Sequence, residues 1–223
     1  MKIALVGAAF AALAFVAPVQ AVAKAVQVIG GETRVALDFA TLESAANLTL
    51  AGVTPAVNTD TGGNGVGFSI NGPDVAPGAR PSTFNYDPAD PLNTLAGSIE
   101  HRGSVLFNEE AIIVGNFSIT SAGGNRFEVA DNVGLNIVLF DAIADLSTIV
   151  ADNRSLFVAG DLAVSAAFAD LLETAGLAGT NLAGATVGSF QVDAIVTPLP
   201  AGVALFGTAI ALLGAARLRR RQT

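Results

Sequence analysis

His101 is the only histidine in a chain of 223 residues and lies in Ile99-Glu100-His101-Arg102-Gly103, where alternation predicts a strand. A Ser-His-Asp system would need it as base, yet no Gly-x-Ser-x-Gly elbow accompanies it. A zinc site would need further His or Cys ligands, and the chain has none. His101 is therefore read as an ordinary strand residue. Two carboxyl groups facing each other across a cleft would serve glycoside hydrolysis, and the pairs on offer are Glu109-Glu110 and Asp87 with Asp90. The first precedes Ala111-Ile112-Ile113 and reads as a hairpin turn. Asp87-Pro88 and Asp90-Pro91 read as turn starters. With no Trp and a single tyrosine, Tyr86, a sugar-stacking groove is poorly supplied.

Calcium takes Asp, Asn and backbone oxygens from loops, and Asn58-Thr59-Asp60-Thr61-Gly62-Gly63-Asn64 has the opening spacing of an EF-hand loop. Gly62 brings no side-chain oxygen and Ser69 stands where the bidentate Glu belongs, so only a looser site through Asp60 and Asn64 is left. The residues thus predict no catalytic group, no resident metal and no cofactor, and a protein that is not an enzyme.

The two ends carry the stronger signals. Met1 and Lys2 open the chain, Ile3 to Val16 is an unbroken apolar and small-residue run closed by Pro18, and Ala21-Val22-Ala23 supplies small residues at −3 and −1. That order predicts a secretory signal peptide over residues 1–23, cut by signal peptidase after Ala23. Its apolar run is shorter than the roughly 20 residues a membrane helix needs. At the other end Pro198-Leu199-Pro200-Ala201 precedes an apolar stretch to Ala216, followed by Arg217, Arg219, Arg220 and Arg221. Leu199 to Ala216 would span about 27 Å as a helix, close to a hydrocarbon core of roughly 30 Å. The four arginines predict a cytoplasmic C-terminus and a single crossing, with the body outside.

Motif, apolar helix and arginine cluster in this order resemble the C-terminal sorting signals of the exosortase-sorted PEP-CTERM proteins of Gram-negative bacteria. The variant whose tail begins Val-Pro-Leu-Pro-Ala is the nearer one. Pro198-Leu199-Pro200-Ala201 supplies four of those five positions, with Thr197 in place of the leading Val and Leu199 where the broader class has Glu. The resemblance implies that residues 197–223 hold the protein in the inner membrane until an exosortase-like membrane protease cuts near the motif. The body then passes to the cell surface or to extracellular polysaccharide. A plain single-pass anchor would share the helix and the arginines, with both prolines as helix-start residues. A Gram-positive sortase signal would need Thr where Gly202 stands, and a eukaryotic lipid-anchor signal has no terminal basic cluster.

These ends must be carried by a body of residues 24–196, long enough for a real core. It holds all 19 acidic residues against six basic ones, Lys24, Arg34, Arg80, Arg102, Arg126 and Arg154, a formal balance of −13. Phosphate binding needs the opposite sign, so nucleic acid is excluded as a partner. An exported body without Cys gains nothing from disulfides. Period-2 alternation runs through Val35, Leu37 and Phe39; Val66, Phe68 and Ile70; Ile113, Phe117 and Ile119; Leu135, Ile137 and Leu139; Leu156, Val158, Leu162 and Val164; and Phe190 and Val192. Gly and Asn clusters such as Gly123-Gly124-Asn125 and Asp131-Asn132 separate these runs. The pattern predicts an all-β fold, a β-sandwich or jelly-roll-like body. One short helix follows Ser165, with Phe168, Leu171, Leu172 and Ala175 as its stripe and Gly176 as its stop. Asp141 to Val150 fits helix or strand. Five prolines between Gly72 and Pro91 predict a long exposed loop.

Together these readings predict an exported surface or extracellular-matrix protein with a structural or adhesive role. The alternatives are a permanently anchored binding module, calcium-dependent in one version, and, behind it, a polysaccharide hydrolase.

Overall fold

The computed structural model of this chain describes residues 25–54, 57 and 58, and 65–199. In chain order its elements are β1 (Val26–Leu37), α1 (Phe39–Ala46), β2 (Leu50–Val53), β3 (Val57–Asn58), β4 (Val66–Ser69), β5 (Asn85–Tyr86), α2 (Pro91–Thr94), β6 (Ser98–Glu100), β7 (Ser104–Phe107) and β8 (Ile112–Gly115). There follow β9 (Ser118–Gly123), β10 (Arg126–Ala130), β11 (Val138–Ala144), β12 (Val150–Ala151), β13 (Ser155–Val164), α3 (Ala166–Thr174) and β14 (Thr186–Pro198).

Alternation explains the long strands directly. In β14, Phe190, Val192, Ala194 and Val196 are buried while Asp193 and Ile195 face solvent, the mark of a strand with one face in a core. In β1 the alternation changes phase at a bulge between Val28 and Gly30. Gly31 follows at φ 125°, where an added Cβ would overlap the carbonyl oxygen of Asp193 on the neighbouring strand, so only glycine fits.

All named strand pairs are antiparallel. Eleven strands form one sheet in the order β3-β4-β1-β14-β13-β11-β10-β9-β6, with β5 beside the start of β1 and β12 beside the start of β13. The sheet rolls up until its two sides meet. Ile70, just past β4, bridges His101, just past β6. Asn71 N donates to Glu100 O at 2.7 Å and Arg102 N to Ser69 O at 3.2 Å. One apolar cluster fills the roll around Val26, Val28, Tyr86, Leu156, Phe190 and Val192. A second lies where β2, β7 and β8, a separate sheet of three, pack with α1 and α3 against Val66, Phe68 and Leu139.

The all-β expectation therefore holds, but the strands join one rolled sheet and a small side sheet instead of two comparable facing sheets. α3 forms with the expected cap and stop, Ser165 Oγ accepting from Phe168 N at 3.1 Å and Gly176 at φ 69°, but its buried face is Phe168, Ala169 and Leu172, while Ala175 of the expected stripe is the exposed C-cap. Two further helices accompany it. Asp38 ends the first alternating run by accepting from Thr41 N at 3.0 Å, so Phe39 begins α1 instead of continuing β1.

Other expectations are corrected. The run from Ile113 to Ile119 is two strands in different sheets, parted at Asn116 with φ 45°. Leu135 and Ile137 belong to a loop, and the strand starts at Val138. Asp141 to Val150 resolves into the end of β11, a turn, and the first residue of β12. The proline-rich stretch is not simply exposed: Ser82, Phe84 and Tyr86 are buried, and Phe84 N bonds Ser98 O at 3.0 Å. The expected signal and membrane helices lie outside the described residues. Among the described residues, no helix is long and apolar enough to cross a membrane.

Candidate functional site

The two ends of the described chain lie side by side. β1 and β14 pair from Leu37 with Gly188 to Val26 with Pro198, and Leu199 N donates to Ala25 O at 2.8 Å. The start of β1 is held on its other edge as well, through Val26 with Tyr86, Gln27 with Asn85, and Val28 N to Phe84 O at 2.9 Å. Val26 and Val28 are fully buried and Val196 nearly so, because their side chains point into the rolled sheet. Tyr86 secures the same pole: its hydroxyl reaches Asp152 O at 2.9 Å and Ser155 O at 3.1 Å. Burial, then the negative charge of Asp152, pushes the phenol up to about 12. Pro198 ends β14, and the terminal bond to β1 is made by the next residue, Leu199.

Of the expected sorting motif, Pro198 closes β14 and Leu199 follows it half-exposed. Pro200, Ala201, the arginines at 217, 219, 220 and 221, the cleavage residues Ala21 and Ala23, and the looser calcium residues Asp60 and Asn64 lie outside the described residues.

His101 occupies the seam where the rolled sheet closes and is 3% exposed. Its Nδ1 is 2.8 Å from Phe117 O and its Nε2 is 2.8 Å from Thr33 Oγ1. A carbonyl oxygen only accepts, so Nδ1 carries the proton and neutral Nε2 accepts from the threonine. Burial drives the imidazole down to about 4, against the opposing pull of Phe117 O and the charge of Glu100. Glu100 is itself buried and accepts from Ser98 Oγ at 2.7 Å and Ser118 Oγ at 2.8 Å. Thr33 and His101 are the polar members of the wall of an interior cavity of about 60 Å³, otherwise lined by apolar side chains such as Val35, Leu42, Phe68 and Phe140. Because these two groups satisfy each other, the wall offers water few partners.

The sign of the histidine's effect on stability follows. Its folded value lies below the ordinary 6.5, so the unfolded chain binds more protons between those values. Stability is fully present above about pH 6.5 and falls as pH drops toward 4, by about 3 kcal/mol from this residue. His101→Asn, which retains a donor for Phe117 O, should flatten that part of a stability curve measured by urea unfolding. Equal slopes for both proteins would refute this assignment.

The carboxylate pairs are not brought together as a cleft. Glu109 and Glu110 sit in the β7–β8 hairpin turn with φ of 54° and 72°. Asp87 Oδ1 accepts from Ala89 N, and Asp90, at the N-cap position of α2 without capping it through its side chain, has Oδ1 accepting from the Asn93 side-chain amide. Among the described residues, no three His, Asp or Glu gather in a metal-binding group. Sequence reasoning missed Asp131, which is 1% exposed. Its Oδ1 accepts from Gly115 N and Val133 N, and its Oδ2 from Gly134 N, Leu135 N and Asn136 N, at 2.5 to 3.1 Å. Asp131-Asn132 was legible as a turn, but five converging donors have no signature in spacing.

No protein-family model matches the chain, and no curated protein matches it in sequence. Among solved structures, the C-terminal domain of HtaA from Corynebacterium glutamicum is similar at 14% identity and a TM-score of 0.54, over 77% of this chain and 99% of that domain. The N-terminal domain of the same protein aligns at 16% identity and a TM-score of 0.40, over 74% of this chain and 98% of that one. The first likeness is one of fold.

Proposed function

We propose that this chain is an exported surface or extracellular-matrix protein with a structural or adhesive role, tethered by its C-terminal apolar segment and cut from it by an exosortase-like membrane protease. The observation that carries this reading is the pairing of the chain ends. Leu199, inside the motif Pro198-Leu199-Pro200-Ala201, is bonded to Ala25, two residues past the expected signal-peptidase cut. Both segments read as membrane-directed therefore adjoin one pole of the rolled sheet, an arrangement that suits a body delivered to and then held at a membrane surface. An acidic exterior suits a protein that stays soluble once released.

The test is the intact mass of the mature protein from its own host. The expected product lacks Met1 to Ala23 and lacks Arg217 to Arg221. A product that still ends at Thr223 in a host with an exosortase would replace sorting by a plain anchor.

A further inference from the structure

A protease takes its substrate as an extended strand whose backbone groups are free to pair with the enzyme. Up to Leu199 the tail of this protein is already paired. Val196 N donates to Arg154 O at 3.0 Å, Val28 lies opposite Val196, Val26 lies opposite Pro198, and Leu199 N is bound to Ala25 O. The partner strand cannot swing away with it, because β5 and Phe84 O hold its far edge and its Val26 and Val28 side chains are fully buried. Cutting upstream of Leu199 would require this pole of the sheet to open first, which costs local unfolding free energy.

We infer that the β1–β14 pairing fixes the boundary at which this chain is processed: the bond cut lies C-terminal to Leu199, and the mature protein keeps Pro198 and Leu199 as the end of its last strand. This rests on the sorting reading for the cut itself, but the protection of Leu199 does not. The boundary also sets an order of events. Ala25, two residues beyond Ala23, is the partner of Leu199, so the site is defined only once both termini of the body are outside and the sheet has closed. A chain still lacking strand β1 in place would leave Thr197 to Leu199 without the partners that pair them. Processing thereby reports on folding.

The experiment has two arms with one readout, the C-terminal residue by intact mass. In the first, mature protein from the host should end at Leu199 or beyond it and short of Arg217. In the second, full-length protein in detergent is digested with proteinase K, and the resistant fragment should also end at Leu199 or later. Val26→Asp, which places a charge at a buried strand end, should fray this pole and move the resistant end upstream of Val196, with circular dichroism confirming that the rest stays β-rich. A host product or a wild-type fragment ending at Pro198 or earlier would overturn the boundary. So would a folded Val26→Asp protein trimmed no further than the wild type. Host protein ending at Thr223 with the proteinase K fragment still ending at Leu199 would instead refute the sorting reading and uphold the protected boundary.

Discussion

Asp131→Ala should lower the folding free energy by about 4 kcal/mol, read as a fall in denaturant midpoint at nearly unchanged slope. The carboxylate is 1% exposed and accepts five backbone N–H groups from Gly115 and from Val133 to Asn136. Bonds to a charged group contribute roughly 1.5 to 3 kcal/mol each, not additively, and buried donors left without partners add their own desolvation cost. Asn132 also anchors this loop, through its N–H on Gly115 O and its side chain on Asn116 O and Ser118 Oγ, but the backbone from Val133 to Asn136 converges on the Asp131 carboxylate, and Asn136 needs φ 55°. Through Gly115 the same side chain ties β8 of the small sheet to the turn that feeds β11. Asp131→Asn is the sharper variant. Two donors point at one oxygen and three at the other, so whichever way the amide lies, its NH₂ meets at least two N–H groups. The isosteric change should therefore cost nearly as much as truncation. An Asn variant within 1 kcal/mol of wild type would show that the loop does not depend on a carboxylate.

The sequence was most readable where one residue's environment repeats along the chain. Phe190 and Val192, or Leu156, Val158 and Leu162, alternate because one face of each strand looks into the same core, and period is a local property. Ser165 and Gly176 were legible for the same reason, since capping is settled within four residues. What alternation cannot register is a change of partner. Gly115 and Ser118 lie three residues apart but belong to different sheets, and the change at Asn116 costs one left-handed residue. Nor does composition say where prolines lead. Those of Gly72 to Pro91 rightly exclude a central strand, yet Phe84 and Tyr86 between them are buried because β1 needs a neighbour at its start. The motif at Pro198 was visible as residues, but that it forms the end of a strand paired to Val26 depends on a contact across almost the whole length of the body. Nothing local marks His101 as more than a strand residue, because the partners of its ring at the closing seam, Thr33 Oγ1 donating and Phe117 O accepting, are both distant in sequence.

Two sets of tail variants should fail in opposite ways. Replacing Arg217, Arg219, Arg220 and Arg221 with Ser removes the positive stop, whose residues each cost roughly 2.5 to 3.5 kcal/mol at the centre of a membrane helix. With Leu199 held by the body, the segment from Pro200 to Ala216 is at the lower limit of a spanning helix, so without the stop it should slip through and release uncut protein. Replacing Pro198 and Pro200 with Ala should do the reverse and leave full-length protein in the membrane fraction, since the stop is intact and the motif is gone. The fold should survive that second change. Pro198 is the last, exposed residue of β14 opposite Val26, and Ala there keeps the extended backbone. Any processing defect then belongs to the motif. Both products are uncut but lie in different fractions, so fractionation separates them and intact mass shows that each keeps its tail. Normal processing of the Pro198→Ala, Pro200→Ala protein would mean that the enzyme reads the junction of strand and membrane segment by its position alone, with the prolines serving only to start the helix.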